Sequence, residues 1–586
     1  MLMAKMAGTG CVSVLSLAAV SPAAPLDTNK SRFVRACSYS PVTKPLVSDS
    51  HQYALKYWQS QGENYYYCSK KLEELKERTR VALWKSSDDP IATVKLIDDI
   101  QRLGVGHHFE EEINLQLERA SGWKCCETED LFANARRFRL LRQNGWPTYS
   151  NKFLNEDGKW KESITKDTWG ILSLYEASYL ATKDEQILLR AMEFTRTHLT
   201  QSMPFMAPQS RRCIAQALEL PRHLRMARLE ARKYIYEYSR EWNHNLALLE
   251  LAKLDFNMVQ SLHQRELVEI QRVGSCWKTW FWQRQALECF LWTVGIFPEP
   301  HYSNCRIELT KTIAFLLVVD DIFDTYGSLS DLVLFTNAIQ RWNLDAMEQI
   351  PEYMKICYMA LYNTTNEISF RILKEHGWNV VPQLKRTWTD IFEAQLAEAK
   401  WFNKGDVPHL EEYLANGVTT GGTYMALVHA FFLMRQGVTR ESSVMMEPYP
   451  RLSSCAGKIL RLWDDLGTAR EEEERGDVAS SMACNMRENT LSCEEEARKH
   501  IRQLIRSLWV ELNGQLTAPA ALPLPIIHAS LNLARTSQVV YQNGDDYTNT
   551  TYSVKEYTRT LFSDSISLEF PGSTDLLAVG KTLLKN

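Results

Sequence analysis

Hydrophobic residues recur along most of the chain at the three- and four-residue spacings of amphipathic helices. Ile97, Ile100 and Leu103 form one such stripe, which Gly104 and Gly106 then terminate. Side chains at these spacings fall on one face of an α-helix, whereas a half-buried strand requires strict alternation, which is nearly absent here. The pattern therefore predicts an all-α fold from residue 49 onward.

Composition agrees with helices and excludes several classes of protein. Glycine (25 residues) and proline (20 residues) are sparse in a chain of 586 residues, which disfavours turn-rich β architecture. The 67 basic and 71 acidic residues nearly balance, so there is no electrostatic reason to bind nucleic acid or an anionic membrane. No apolar segment reaches the roughly 18–20 residues that span a bilayer. The length exceeds the roughly 250–300 residues at which single cores stop growing, so more than one domain is expected.

The N-terminal segment differs from the rest of the chain. Residues 1–47 contain one acidic residue, Asp27, and are rich in serine, alanine and basic residues. This composition is typical of an organellar transit peptide, with a secretory signal as the alternative. Polar residues from Tyr234 to Asn243 separate two later helical blocks. We therefore predict a transit peptide in residues 1–48, an N-terminal helical domain in residues 49–235 and a C-terminal helical domain in residues 236–586.

The strongest chemical signal is an apolar segment that runs into three carboxylates. Residues 313–319 are all apolar, and Asp320, Asp321 and Asp324 follow them. On a helix, Asp320 and Asp324 are four residues apart and share a face. Like charges this close repel each other, so they favour a hard divalent cation such as Mg²⁺ or Mn²⁺. An exposed acidic helix end is the alternative explanation of these residues.

A second oxygen-rich stripe lies later in the chain. Asp464, Thr468 and Glu472 are spaced four residues apart, so they drift by only about 80° around a helix. Arg461 falls on the same side, and its guanidinium suits a phosphate group. A solvated acidic surface is the alternative, because further glutamates follow. Two such stripes facing each other in a helical bundle would hold divalent ions around a diphosphate.

At these motifs the chain resembles the plant class I terpene synthases. The family's two metal-binding motifs, D-D-x-x-D and [N/D]-D-x-x-[S/T]-x-x-x-E, correspond to Asp320, Asp321 and Asp324 and to Asp464, Asp465, Thr468 and Glu472. Residues 417–422, Gly-Val-Thr-Thr-Gly-Gly, are similar to the segment where the family's helix breaks beside the substrate. Within the family, the plastid monoterpene synthases are the most similar group, which agrees with the composition of the N-terminal segment.

The resemblance implies a fold and a location. It implies an N-terminal α-barrel-like domain, a C-terminal class I terpenoid synthase α-bundle, and a monomer or homodimer in the chloroplast stroma. It also implies geranyl diphosphate as the substrate, with Mg²⁺ or Mn²⁺ as cofactor and three ions per site. No D-x-D-D motif occurs in the first domain, so that domain is expected to act as a scaffold.

The resemblance also implies roles for individual residues. The expected metal ligands are Asp320, Asp321, Asp324, Asp464, Thr468 and Glu472. The expected catalytic residues are Asp320, Asp321, Asp324 and Arg461. The expected substrate-binding residues are Arg284, Trp292, Asp320, Asp324, Arg461, Asp464 and Tyr541. Trp292 is a candidate for the aromatic wall that stabilises a carbocation, although an ordinary core tryptophan explains it equally well.

Two departures from the family pattern bear on the product. Cyclising members carry an arginine pair upstream of a tryptophan, and counting back from Trp58 places Ser48 and Asp49 at those positions. That arginine pair is associated with isomerising the substrate toward ring closure, so its absence favours an acyclic product. Gln283 and Gln285 replace an arginine clamp for the diphosphate and leave only Arg284 between them.

We therefore predict a monoterpene synthase that ionises geranyl diphosphate and captures the cation with water, giving geraniol in preference to linalool. Alternatives are a synthase of cyclic or olefinic mono- or sesquiterpenes, a chain-elongating prenyltransferase, a catalytically weakened synthase and a non-catalytic helical scaffold. Chain-elongating enzymes repeat D-D-x-x-D in the second site, whereas this chain has Thr468 and Glu472 there.

Overall fold

The computed structural model describes residues 62–122, 130–148, 167–275, 281–434, 437–475, 479–489, 493–518, 522–542 and 550–568. In this part of the chain the regular structure is helical, and no strand occurs. The α-helices, in chain order, are α1 (Gly62–Lys85), α2 (Pro90–Arg102), α3 (Glu110–Gly122), α4 (Leu131–Gln143), α5 (Thr168–Ser178), α6 (Gln186–Ser202), α7 (Pro208–Glu219), α8 (Ala227–Tyr238), α9 (Leu246–Ser275), α10 (Phe281–Ile296), α11 (Ser303–Asp321), α12 (Leu329–Arg341), α13 (Glu352–His376), α14 (Val381–Lys404), α15 (Leu410–Thr420), α16 (Thr423–Leu433), α17 (Arg440–Val444), α18 (Arg451–Arg475), α19 (Ser481–Asn489), α20 (Glu494–Gly514), α21 (Leu524–Tyr541) and α22 (Thr550–Phe562).

Local sequence sets the ends of several helices. Asp89 accepts hydrogen bonds from two backbone N–H groups at the start of α2, and Pro90 occupies the first helical position. Both features satisfy or remove N–H groups that have no partner within the helix. Gly377 and Gly405 adopt positive φ and end α13 and α14. Glycine takes this left-handed conformation without the steric cost that a side chain would add.

The buried hydrophobic residues form two clusters. The larger extends from Leu72 in α1 to Phe562 in α22 and includes most of the C-terminal helices. The smaller is formed by residues of α4 to α7 within the range 131–217. The N-terminal helices α1 to α3 therefore share a core with the C-terminal half. The boundary expected at residue 235 lies within α8, and the division into domains at that residue stays a prediction.

Helix α11 is buried along nearly its whole length and carries the first acidic motif at its end. Its residues from Cys305 to Leu317 are buried, charged ones included. Arg306 pairs with Glu266 of α9 at 2.7 Å, and Lys311 pairs with Glu308 at 3.1 Å. Pairing offsets much of the cost of removing these charges from water.

Among the helices that the structure describes, none is long and apolar enough to cross a membrane.

The α-helix does not continue through the first motif, so Asp320 and Asp324 do not share the face of one α-helix as expected. Helix α11 ends at Asp321, and residues 322–326 form a π-helical turn in which the N–H of Gly327 donates to the carbonyl of Ile322 at 2.8 Å. A π turn joins residues five apart rather than four. Ile322 and Phe323 are buried in this wider turn, and Asp324 reaches the surface.

Candidate active site

A small apolar hollow lies next to both acidic motifs. Its lining includes Trp292 of α10, Leu316 of α11 and Leu460 of α18, and its volume is about 10 Å³. Leu316 lies four residues before Asp320, and Leu460 lies four residues before Asp464. One helical turn therefore separates each motif from the apolar lining. The arrangement suits a ligand with an apolar chain and a charged head group.

The break between α15 and α16 forms another part of this lining. Helix α15 ends at Thr420, and α16 begins at Thr423 after Gly421 and Gly422. Gly422 has φ of +68°, and a Cβ there would lie 2.3 Å from Leu316 Cδ2. Both the backbone conformation and the close packing therefore require glycine. The expected helix break beside the site is confirmed as a structural feature.

The first motif presents carboxylates in three different environments. Asp320 is buried, and its Oδ1 accepts a hydrogen bond from Nε2 of Gln395 at 2.9 Å. Asp321 is half-buried and Asp324 is exposed. Burial, and to a smaller extent the like charge of Asp324, raise the pKa of Asp321 to about 6. Charge crowding and burial both penalise the ionised form, and a divalent cation would relieve both.

The second motif lies on α18, and Asp464, Asp465 and Thr468 are buried. Asp464 is fully buried, and Arg461 Nη1 lies 3.4 Å from its Oδ2. Thr468 donates its hydroxyl hydrogen to the carbonyl of Asp464 at 2.8 Å. The Tyr541 hydroxyl donates to the Asp464 carboxylate, and burial together with this contact holds the Tyr541 pKa well above its ordinary value. Asp464, Thr468 and Tyr541 thus form one oxygen-rich group, and Arg461 lies beside Asp464.

Arg461 connects the second motif to the neighbouring helices. Its Nη2 donates to Thr420 Oγ1 at 3.0 Å and lies 3.7 Å from Glu398 Oε1. The buried Nε of Arg461 has no hydrogen-bond partner in the described part of the chain. Gly417 faces this nitrogen closely, because a Cβ at residue 417 would lie 2.7 Å from Nε. A glycine at this position therefore provides the space that the guanidinium occupies.

Asp465 lies 3.6 Å from Arg461 Nη1 and also binds protein groups of two neighbouring helices. Its Oδ1 accepts from the Tyr413 hydroxyl at 3.0 Å, and its Oδ2 accepts from the backbone N–H of Ser481 at 2.8 Å. These bonds tie α15 and the start of α19 to α18. Asp465 therefore serves a structural role in this arrangement, in agreement with its omission from the expected metal ligands.

Two residues of α14 contribute to the site and carry no sequence motif. Gln395 contacts Asp320 of the first motif, and Glu398, one turn later, accepts a hydrogen bond from Thr420 at 2.9 Å beside Arg461. A single helix thereby links the two acidic motifs. The sequence offered one sign that Gln395 is functional: it is a polar residue between Phe392 and Leu396, and both of these apolar residues are buried.

The other residues that the sequence predicted for the site lie in different parts of the structure. Trp292 is buried in the lining of the hollow, with its ring centroid 6.0 Å from that of Tyr541. Phe290, on the same helix, instead packs against His263 and Phe562. The side chains of Arg284 and Glu472, which lie on α10 and α18, are outside the described residues, as are Ser48, Asp49 and Trp58.

The tightest set of metal-type ligands among the described residues lies elsewhere. His107, His108 and Asp255 place their ligand atoms within 4.8 Å of one another. Both histidines contact Asp255, at 3.2 and 2.8 Å, and Arg228 lies 3.5 Å from its second oxygen. The guanidinium already supplies positive charge to this carboxylate, so we assign the group as a structural ion network.

Comparison with solved structures defines the class of this fold. The isoprene synthase of grey poplar (Populus x canescens), solved in complex with three Mg²⁺ ions and dimethylallyl-S-thiolodiphosphate, matches with a TM-score of 0.80. The two sequences are 36% identical, and the match covers 86% of this chain and 98% of that chain. The all-helical, two-domain class I terpenoid fold expected from the sequence is confirmed.

Family models and curated relatives give the same assignment. Residues 276–511 match the model of the terpene synthase family metal-binding domain, and residues 47–218 match that of the terpene synthase N-terminal domain. The chain is 65% identical over 513 residues to "Probable terpene synthase 11" of Ricinus communis, covering 86% of this chain and 88% of the relative. Two Ocimum basilicum proteins also match, a chloroplastic geraniol synthase at 52% identity and a chloroplastic R-linalool synthase at 51%, each covering 84% of this chain and 87% of the relative. The chain belongs to the terpene synthase family, whose members act on prenyl diphosphates, and its relatives include monoterpene synthases.

Proposed function

We propose that this terpene synthase ionises geranyl diphosphate and that water captures the cation to give an acyclic alcohol, geraniol in preference to linalool. One observation carries the proposal: both acidic motifs lie one helical turn from the same apolar hollow. An isoprenoid chain fits the apolar lining chemically, and its diphosphate would lie between the two motifs.

We propose Mg²⁺ or Mn²⁺, three ions per site, as the cofactor. Asp320, Asp321 and Asp324 would hold metal on one side, and Asp464, Thr468 and Glu472 on the other. These residues fit the group, since all offer hard oxygen donors and the raised pKa of Asp321 reflects burial and a nearby like charge. When bound, the ions would supply positive charge that stabilises the departing diphosphate. The three Mg²⁺ ions of the related isoprene synthase complex support the assignment.

Arg461 is proposed to bind the diphosphate. Its guanidinium already lies among Asp464, Asp465 and Glu398 at 3.4 to 3.7 Å. A ligand phosphate would accept hydrogen bonds from the same guanidinium, because this group donates to phosphate in a bidentate manner. Arg284 is proposed to assist from α10. Tyr541 orients Asp464 through its hydroxyl.

The hollow is proposed to hold the hydrocarbon chain and to exclude water from most of its length. The faces of aromatic rings stabilise nearby positive charge, and Trp292 is the aromatic residue of the lining. The hollow measures about 10 Å³, roughly the space that one water molecule needs. We propose that side chains of α10, α11 and α16 move apart when a ten-carbon chain binds.

The acyclic product is proposed from the sequence. Ser48 and Asp49 stand where cyclising relatives carry arginines. The geraniol and R-linalool synthases of Ocimum basilicum, at 52% and 51% identity, support an acyclic alcohol and favour neither isomer clearly. Water capture at C1 of the cation gives geraniol, and capture at C3 gives linalool.

Gas chromatography of the volatile products tests this proposal. The purified protein is incubated with geranyl diphosphate and Mg²⁺, and a parallel sample contains EDTA. We expect geraniol as the main product and no turnover with EDTA. Cyclic products would contradict the inference from Ser48 and Asp49. A longer diphosphate that forms only when isopentenyl diphosphate is added would indicate a prenyltransferase. No turnover by folded protein would indicate a weakened enzyme or a non-catalytic scaffold.

We also propose that residues 1–48 direct the protein to the chloroplast stroma. The chloroplastic relatives support this location. Fusing residues 1–48 to a fluorescent protein should produce plastid fluorescence. A fusion that begins at residue 49 should remain in the cytosol, and plastid import of that shorter fusion would overturn the assignment.

A further inference from the structure

A second, larger cavity lies between the N-terminal and C-terminal helices. Its volume is about 430 Å³, and its walls come from α2, α3, α4 and α8 on one side and α21 on the other. Ile296 lines both this cavity and the apolar hollow, so the two spaces are neighbours. The acidic motifs do not line it. A cavity of this size is within the range of small-molecule binding sites, roughly 300–1,000 Å³.

Positive charge predominates in the lining of this cavity. Six arginines line it, whereas the acidic lining residues are Glu110, Glu230 and Glu299. The carboxylates near these arginines are shared. Asp98 lies 2.5 Å from both Arg139 and Arg222. One carboxylate thus pairs with two guanidinium groups that line the cavity.

Glu230 is shared in the same way. Arg102 lies 2.9 Å from one of its oxygens, and Arg225 lies 2.7 Å from the other. All three side chains are largely buried, so solvent screens their charges only weakly. In each of these two groups two guanidiniums that line the cavity share one carboxylate, and Glu176 also acts on Arg225.

Arg535 of α21 is the least compensated of these cations. Its guanidinium donates only to neutral acceptors: the carbonyl of His223 at 2.6 Å, Asn532 Oδ1 at 2.7 Å and His223 Nδ1 at 3.3 Å. No carboxylate of the described residues lies within ion-pair distance of it. Burial lowers the pKa of Arg535 to about 10. Each terminal nitrogen keeps one N–H group beyond those hydrogen bonds, and the side chain lines the cavity.

We propose that this cavity binds a small phosphate-bearing anion, with Arg535 as a direct ligand. Guanidinium groups donate paired hydrogen bonds to phosphate oxygens, and a buried cation without a carboxylate gains most from such a ligand. The anion could be the inorganic diphosphate that a terpene synthase releases, or orthophosphate taken from solution. The site does not depend on the alcohol product proposed above.

Calorimetric titration of the full-length protein with inorganic diphosphate, and separately with orthophosphate, tests the proposal. EDTA is present throughout, because without divalent cations the acidic motifs repel anions. We expect saturable binding of one anion per chain that weakens as salt is added. If diphosphate alone binds, the reaction product is the ligand; if both bind, free phosphate also occupies the site. The absence of saturable binding by either anion would overturn the proposal.

Variants locate the site. Arg535→Gln should weaken binding by about tenfold or more, the usual effect of removing a charged hydrogen-bonding partner, whereas Arg535→Lys should retain part of the affinity. Arg506→Gln changes an exposed arginine of α20 and should bind as the unmodified protein does. Loss of binding in Arg461→Gln, with binding retained in Arg535→Gln, would place the anion in the catalytic site and refute the assignment.

A second variant tests the site without replacing Arg535, whose loss can disturb the fold. Asn114 lines the cavity and is exposed, so Asn114→Asp adds one negative charge with almost no change in shape. It should weaken anion binding while the circular dichroism spectrum and thermal midpoint stay unchanged. Unaltered affinity in both Asn114→Asp and Arg535→Gln would contradict the proposed site.

Discussion

Gln395 and Asp320 join two helices beside the apolar hollow, with Nε2 of Gln395 donating to Oδ1 of Asp320 at 2.9 Å. Both side chains are buried, so the hydrogen bond holds the carboxylate in one orientation away from bulk water. Residues that orient metal ligands in this way commonly change metal affinity when they are replaced. Gln395 is therefore proposed to position Asp320 for metal binding.

Replacing Gln395 tests this relationship. Gln395→Leu removes the hydrogen bond that Gln395 donates to Asp320. The apparent Mg²⁺ affinity should therefore fall by about 10–100-fold. The concentration of Mg²⁺ that gives half-maximal turnover measures the effect. Gln340→Leu is the matched control, because Gln340 is exposed and donates to the exposed Glu393 at 2.6 Å. An equal loss in both variants would indicate a general effect on folding.

Asp321 offers a test that separates catalysis from stability. Asp321→Asn should reduce turnover by at least about a hundredfold, because a metal ligand is lost. Its thermal midpoint near pH 7 in EDTA should not fall, since burial already disfavours the ionised carboxylate. Turnover assays and thermal unfolding measure the two effects. Asp345→Asn, at an exposed position, should change neither, and a large loss of stability in Asp321→Asn would contradict the assignment.

The raised pKa of Asp321 also predicts a pH dependence. Its folded-state pKa of about 6 exceeds the ordinary aspartate value, which is about 3.9. The folded protein therefore binds a proton that the unfolded chain releases, and this contribution to stability is lost as pH rises through about 6.

Metal binding has the opposite pH dependence, because the metal requires the ionised carboxylate. The apparent Mn²⁺ affinity should fall by about tenfold per pH unit below pH 6. Calorimetric titration with Mn²⁺ between pH 5 and pH 8 measures it. A pH-independent affinity across this range would show that Asp321 is not a ligand.

Local spacing made the helices and the two motifs predictable. Ile97, Ile100 and Leu103 are buried in the larger core as their spacing indicated, because helical periodicity is a property of neighbouring residues alone. The burial of Arg306 could not be read in the same way, since it depends on Glu266 of another helix at 2.7 Å. Pairing across distant segments has no local signature.

The same distinction applies to the candidate site. The aspartates of the first motif were found from their spacing, but D-D-x-x-D reads alike in an α-helix and in the π turn that holds Asp324. The roles of Gln395 and Glu398 depend on how α14 packs against α15 and against the π turn that follows α11. Such neighbours are decided by the tertiary fold, so the sequence indicated the candidate ligands and not the residues proposed to position them.

Gly417 provides the final test, because its missing side chain makes room for Arg461. A Cβ at residue 417 would lie 2.7 Å from Arg461 Nε, so Gly417→Ala should displace the guanidinium and reduce kcat/KM for the diphosphate substrate by about tenfold, as a lost charged hydrogen bond would. Gly514→Ala is the matched control, since that helical glycine has no atom within 4 Å of the added Cβ. Alanine stabilises helices by about 1 kcal/mol relative to glycine, so the control should be neutral or more stable. Steady-state kinetics and thermal unfolding of both variants measure these effects. Unchanged kinetics in Gly417→Ala would contradict the proposal that the position of the Arg461 guanidinium is required to bind the diphosphate.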